Sequence, residues 1–238
     1  MDLTPVARRS VSDEVFDRIA ADVLRGDVEA GEALPSERRL AEVLGVSRPS
    51  VREALKRLDH AGLVAVRQGD VTTVRDFRQT AGMDLLPRLL MAGGEVDLKV
   101  ARSVMETRLH VGPFAAELAA RRGGSELEGS LTAALDHLVE QTTPVARQYA
   151  ALAFWDVVID GADSIALRLM YNGLRASYEP VIEALAEVMD QEVSNYAAYR
   201  SLADAIVAGR PSVASTAASD LLRPATEAMY AVLESLDV

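Results

Sequence analysis

Leu34-Pro35-Ser36-Glu37-Arg38-Arg39-Leu40-Ala41-Glu42-Val43-Leu44-Gly45-Val46-Ser47-Arg48-Pro49-Ser50-Val51-Arg52-Glu53-Ala54-Leu55-Lys56-Arg57-Leu58 holds two short amphipathic runs placed head to tail. Ser36 is positioned to cap a helix over Glu37 to Leu44, with Leu40, Val43 and Leu44 facing inward and Arg38 and Arg39 facing out. Gly45 can take the left-handed conformation that ends it. Ser47 then caps a further helix running to about Asp59, with Val51, Ala54, Leu55 and Leu58 as its apolar stripe and Pro49 tolerated in the first turn. Two short helices around a glycine turn make a helix-turn-helix. The opposite face of the second helix carries Arg48, Ser50, Arg52 and Lys56, beside the free N–H groups and positive dipole end of its N-terminus. Such an end suits phosphates and base edges in a major groove.

Working outward, Val11 to Leu24 sets Val15, Ile19, Val23 and Leu24 on one helical face, with Ser12 as the available N-cap and Gly26 after the last turn. Beyond Gly62, Leu63–Val66 and Val71–Val74 read as short strands around a Gln68-Gly69-Asp70 tip, a wing able to reach an adjacent groove. Helix-turn-helix pairs also occur as plain structural units, and arginine-rich faces are often merely solvated. The full order of helix, helix, glycine turn, basic helix and wing rarely arises by accident. Residues 1–76 are therefore expected to form a winged helix-turn-helix DNA-binding domain.

The formal net charge of −11 at first argues against a nucleic-acid partner, but its distribution reverses that. Residues 1–76 hold 12 Lys+Arg against 14 Asp+Glu, and the remaining residues hold 13 against 22. Within Ser47–Leu58, Arg48, Arg52, Lys56 and Arg57 face Glu53 alone, a basic element on an acidic body. The absence of cysteine rules out disulfides, thiolate nucleophiles and cysteine-ligated metals. No run of about eighteen apolar residues or export signal is present, so a cytoplasmic protein without membrane contact is expected.

The runs Leu34 to Ala41, Leu44 to Arg48, Val51 to Leu58 and Gly62-Leu63-Val64 resemble the GntR family of bacterial regulators. That resemblance implies operator contacts from Arg38, from Ser47, Arg48, Ser50 and Arg52, and from Gln68 and Gly69 of the wing. It makes Arg48 the candidate for a bidentate base contact and Arg52 a phosphate contact. Asp70 departs from the pattern, which weakens the wing assignment relative to the helix.

From Thr80 onward the apolar spacing is helical throughout, broken at Gly93-Gly94, Gly123-Gly124, Pro144, Gly161 and Gly209-Arg210-Pro211. Candidate helices cover about 80–92, 97–122, 125–141, 145–160, 163–190, 192–208 and 212–236, with Gly112-Pro113 and Pro180 as expected bends. The fold class is thus mainly α: an N-terminal winged helix-turn-helix plus, over 77–238, an all-α bundle of about seven helices that binds effector and dimerises.

The helix count, and Glu106-Thr107-Arg108 before Ala115 to Ala120, are similar to the effector domain of the FadR subfamily of GntR regulators. The metal positions of that subfamily, one aspartate and three histidines, fall on Leu152, Asp156, Tyr199 and Leu221, so no metal and no other cofactor is expected. Gly69 to Phe77, Thr80-Ala81-Gly82 and Tyr171-Asn172-Gly173-Leu174 resemble the metal-free, fatty-acid-responsive branch. This implies a fatty acid or acyl-CoA effector, with Arg102, Arg108, Asp156, Asn172, Arg175, Tyr178 and Tyr199 as ligand-binding candidates. Arg102 and Arg108 read equally well as partners of acidic neighbours. A homodimer on a palindromic double-stranded operator is the form one helix-turn-helix per chain requires. A small organic acid as effector stays open, as does the different class of a helical enzyme or interaction module; no nucleophile–base pair or clustered histidine favours the enzyme.

Overall fold

A computed structural model describes residues 10–66, 71–91 and 96–236. Its contacts divide the chain into two compact units, Met1–Asp97 and Leu98–Val238.

In the first unit, α1 (Val11–Arg25), α2 (Glu37–Leu44) and α3 (Arg48–His60) close around one apolar core that includes Phe16, Ile19, Val51 and Leu55. The cap of α1 is Ser10 and not Ser12. Ser10 Oγ accepts from Asp13 N at 3.1 Å while the Asp13 carboxylate accepts from Ser10 N at 3.0 Å, a reciprocal capping box. The same carboxylate pairs with Arg57 of α3, tying two helices through one acid. The Ser10 hydroxyl first, and Arg57 next, hold Asp13 down to about 2. Leu40 and Leu44 pack against the core as expected, but Val43 is 63% exposed, because the eight-residue α2 turns only a narrow stripe inward.

After α3, Gly62 takes a φ of 75°, and β1 (Val64–Ala65) pairs antiparallel with β2 (Thr73–Val74) in the register Val64↔Val74, Ala65↔Thr73. The strands are shorter than the sequence implies, and a bridge from Ala33 to Thr73 adds a third edge drawn from the segment before α2. The wing tip at Gln68 and Gly69 lies outside the described residues.

The division of the chain falls at Asp97, not at the expected 76–77 boundary, for a packing reason. α4 (Phe77–Thr80) and α5 (Leu86–Leu90) replace the single helix expected over 80–92, and Phe77, Leu85 and Leu89 join the core of the first unit. Thr80 Oγ1 donates to Gly62 O at 2.7 Å, and Arg88 pairs with Asp17 of α1.

Seven helices of the described residues form the second unit: α6 (Leu98–Arg122), α7 (Glu128–Glu140), α8 (Pro144–Gly161), α9 (Ile165–Tyr178), α10 (Ala186–Val193), α11 (Tyr196–Val207) and α12 (Pro211–Leu236). The expected helix over 163–190 is two helices. Pro180 has no N–H to donate and crowds the preceding turn, so α9 stops at Tyr178 and a 3-10 turn, Glu179–Val181, separates it from α10. Pro113, by contrast, is carried inside α6.

Two predictions follow from this geometry. A Cβ at Gly62 would sit 2.5 Å from the Thr80 carbonyl oxygen at a left-handed φ, whereas Gly26, at φ 80°, has open space around it. Gly62→Ala should therefore destabilise the first unit by about 2–4 kcal/mol and Gly26→Ala by only about 1 kcal/mol, read from denaturant midpoints. Because Asp13's folded value lies below its unfolded value of 3.8, its contribution is full above that value and is lost as pH falls towards about 2. Asp13→Asn should flatten that part of the acid limb of the midpoint-against-pH curve.

Candidate DNA interface and effector cavity

The N-terminus of α3 is organised by serines. Ser47 Oγ accepts from Ser50 N at 3.3 Å and lies 2.8 Å from Ser50 Oγ, leaving the other first-turn N–H groups directed along the helix axis. Arg48 is exposed and has no ion-pair partner among the described residues. Arg52 is also exposed but is held: its Nη2 lies 2.8 Å from Glu37 Oε2, and Nε is 3.1 Å from Oε1. That fork on a carboxylate of α2 holds the Arg52 side chain in one orientation and, through the Arg52 hydrogen bond, holds Glu37 below the usual carboxylate range. Arg38 shares Glu42 with Arg39, at 3.2 and 3.6 Å, on the exposed face of α2. One free arginine, one pre-oriented arginine and a capped helix end thus share one surface.

In the second unit, α6, α8, α9, α10 and α12 line a cavity of about 90 Å³. Its walls are chiefly aliphatic, with Met105, Leu152, Ile159, Leu174, Met189 and Leu222 among them. Gly112 contributes by lacking a side chain: a Cβ there would collide with Leu222 and come within 3.3 Å of Trp155. The polar lining is compact. Arg108 pairs with Glu192, which is only 2% exposed, and Tyr178 donates to Gln148 Oε1. Arg108 Nη1 and Glu192 Oε2 are buried without hydrogen-bond partners, while the indole of Trp155 and the buried Tyr199 hydroxyl behind the cavity face one another. Burial pushes the Glu192 carboxyl upward against the pull of Arg108, and burial also raises the Tyr178 and Tyr199 phenols.

Residues 11–74 match the family described as bacterial regulatory proteins, gntR family, and residues 103–224 match the FCD domain. The chain is 57% identical over 235 residues to the HTH-type transcriptional regulator Mce2R of Mycobacterium tuberculosis, covering 99% of this chain and 98% of that one. The chain belongs to the GntR family. A further relative, the fatty acid metabolism regulator protein of Vibrio cholerae, is 30% identical over 96 residues, covering 40% of this chain and 34% of that protein. Among solved structures, Lar of Listeria monocytogenes aligns with a TM-score of 0.59 at 17% identity, over 95% of this chain and 100% of that one, which shows the fold. As a GntR regulator with an FCD domain, the protein is a helix-turn-helix transcription factor that binds DNA and takes a small-molecule effector in its helical domain. No helix among the described residues is long and apolar enough to cross a membrane.

Within this GntR protein the sequence-derived ligand candidates separate into two groups. Arg108, Arg175 and Tyr178 line the cavity, and Tyr199 stands behind it, its ring packed edge-on against Phe154 at 5.0 Å. Arg102, Asp156 and Asn172 do not line it. Arg102 lies over the Tyr230 ring and pairs with Glu234 at 3.4 Å, Asn172 is exposed, and the Asp156 carboxylate is taken by Arg168 and Arg175. Of the former metal positions, Leu152 lines the cavity and Leu221 is buried. Sequence reasoning missed Glu192 and Gln148. Glu192 lies on α10, whose start is visible only once the break at Pro180 is known, although buried Met189 and Val193 lie close to it in sequence; Gln148 lies on α8, and nothing local in the sequence marks it as buried.

Arg48→Ala should weaken binding to specific DNA by about 1–3 kcal/mol while sparing non-specific binding, and Arg52→Ala should lower the slope of log affinity against log salt by about one. Fluorescence anisotropy over a salt series separates the two; equal losses on specific and random duplexes for both variants would remove the assignment.

Proposed function

We propose that two copies of the chain read a palindromic operator as a homodimer and that an apolar acid of the fatty acid or acyl-CoA class, bound in the cavity of the second unit, alters operator affinity. The observation that carries the effector reading is the cavity itself, aliphatic on most sides, partly open, and equipped with an arginine whose Nη1 is unpartnered. The V. cholerae relative's name lends support, although the similarity spans a minority of each chain. Dimerisation is required by the size of one helix-turn-helix, which reads only a few base pairs. Arg38, Ser47, Arg48, Ser50 and Arg52 contact DNA in this reading, with Gln68 and Gly69 at the wing, and Arg108, Arg175 and Tyr178 contact effector. A site of action in the cytoplasm accords with a DNA partner.

A volume of about 90 Å³ gives a small organic acid specific standing as the second reading, because a long acyl chain requires the bundle to open further. Operator affinity measured with octanoate, octanoyl-CoA, palmitoyl-CoA and a set of short polar acids distinguishes the two. An acyl compound should change affinity at least about fivefold, and replacing Arg108 and Glu192 together by apolar residues, which leaves no unpaired buried charge, should abolish the change. Indifference of the operator affinity to every compound would sink the lipid reading; response to short acids alone would replace it with the second.

A further inference from the structure

The cavity contains an imbalance of charge that constrains its ligand, and the constraint rests on reading that cavity as the effector site. Arg108 and Glu192 already neutralise one another, and Arg175, the other charged residue of the lining, is committed to Asp156 and Glu179. Arg108 and Glu192 each keep a buried polar atom unanswered, Nη1 and Oε2 respectively. The site therefore offers one N–H donor and one carboxylate oxygen that needs a donor. A ligand carboxylate would satisfy the donor but would bring a second negative charge against Glu192. Two carboxylates in one desolvated site cannot both stay ionised; such pairs hold one proton between them.

We propose that an apolar carboxylic acid binds here together with one proton taken from solvent, shared between the ligand carboxyl and Glu192 Oε2, while Arg108 Nη1 donates to the ligand's other oxygen. No covalent bond other than that O–H is made. A neutral head group carrying both a donor and an acceptor, such as a primary amide, satisfies the same atoms without a proton. A head group that only accepts leaves Glu192 Oε2 unanswered and binds more weakly.

The charged and titratable groups around Glu192 and the cavity are Arg108 from α6, Tyr171, Arg175 and Tyr178 from α9, and Tyr199 from α11. α8 presents Gln148 and Trp155, and α12 presents Leu222. The three tyrosines are pushed upward by burial and stay neutral near pH 7, and both arginines stay charged. Among the described residues this leaves Glu192 and the ligand to hold the proton.

Calorimetric titration of the full chain with octanoate and octanamide, each in two buffers of different ionisation enthalpy and over about pH 6.5–8.5, tests this. The expected result is uptake of about one proton per octanoate, with Kd weakening about tenfold per pH unit, and a pH-independent Kd for octanamide. Glu192→Gln should abolish the uptake and tighten octanoate at the alkaline end. Octanoate bound in the cavity with no proton uptake overturns the inference alone, and the wild-type titration decides this even if Glu192→Gln does not fold. If neither probe binds, or both bind undiminished to Gly112→Ala, whose new Cβ crowds Leu222 in the cavity wall, the effector-site reading falls and takes the inference with it.

Discussion

A guanidinium and a carboxylate enclosed by aliphatic helices have little but each other to offset the water they have lost, and the second unit is built around that necessity. Glu192 projects from α10 and Arg108 from α6, so the pair fixes where the shortest helix of the bundle stands against one of the longest. Removing either partner leaves an uncompensated buried charge, typically about 3–5 kcal/mol, whereas a matched apolar replacement of both is often neutral for stability. Stability alone therefore gives the pair no reason to exist. Its unanswered atoms are better understood as capacity kept for a ligand, and the apolar walls around them raise the strength of any hydrogen bond made there.

The first unit handles charge in the opposite way, on its surface and close to solvent. Glu37 and Arg52 form a fork that water and salt can weaken, so it contributes little to stability by itself. What it does is hold a long side chain in one orientation. On the proposed reading, a phosphate replaces the carboxylate at Arg52 without the loss of rotamer freedom that an unrestrained arginine would suffer. Arg48 has no such anchor among the described residues, which suits the base contact proposed for it. The two arginines, four residues apart on one helix, are thereby differentiated by α2 and not by their own helix.

Local signals account for what the sequence made legible. Ser36, Gly45 and Ser47 act on the backbone within a turn of themselves, and each does in the structure what its chemistry requires. Ser10 was overlooked in favour of Ser12 because both precede an apolar run; only the reciprocal bond with Asp13 separates them. The domain division was misplaced by about twenty residues since Leu85 and Leu89 carry no mark in sequence of which core they join. Arg102 and Arg108 were indistinguishable as sequence, each an arginine on a mixed helix face. Packing alone sends one to Glu234 at the surface and the other to Glu192 in the interior. Long-range pairing of this kind has no short-range signature, which is why the helices and caps of the helix-turn-helix were readable and half of the cavity lining was not.

The four positions that the resemblance assigned to metal ligands, Leu152, Asp156, Tyr199 and Leu221, can be placed in the structure. Leu152 lines the cavity and Tyr199 stands behind it, while the aspartate, Asp156, is closed off by two arginines. A divalent cation would bring a fixed positive charge able to accept a carboxylate outright. Here the corresponding charge is Arg108, already paired with Glu192, so on the proposed reading an acid binds as far as a proton or a hydrogen-bond donor makes up the difference. A balanced ion pair favours neutral or proton-sharing head groups over anions, and aliphatic walls favour molecules with little else that is polar.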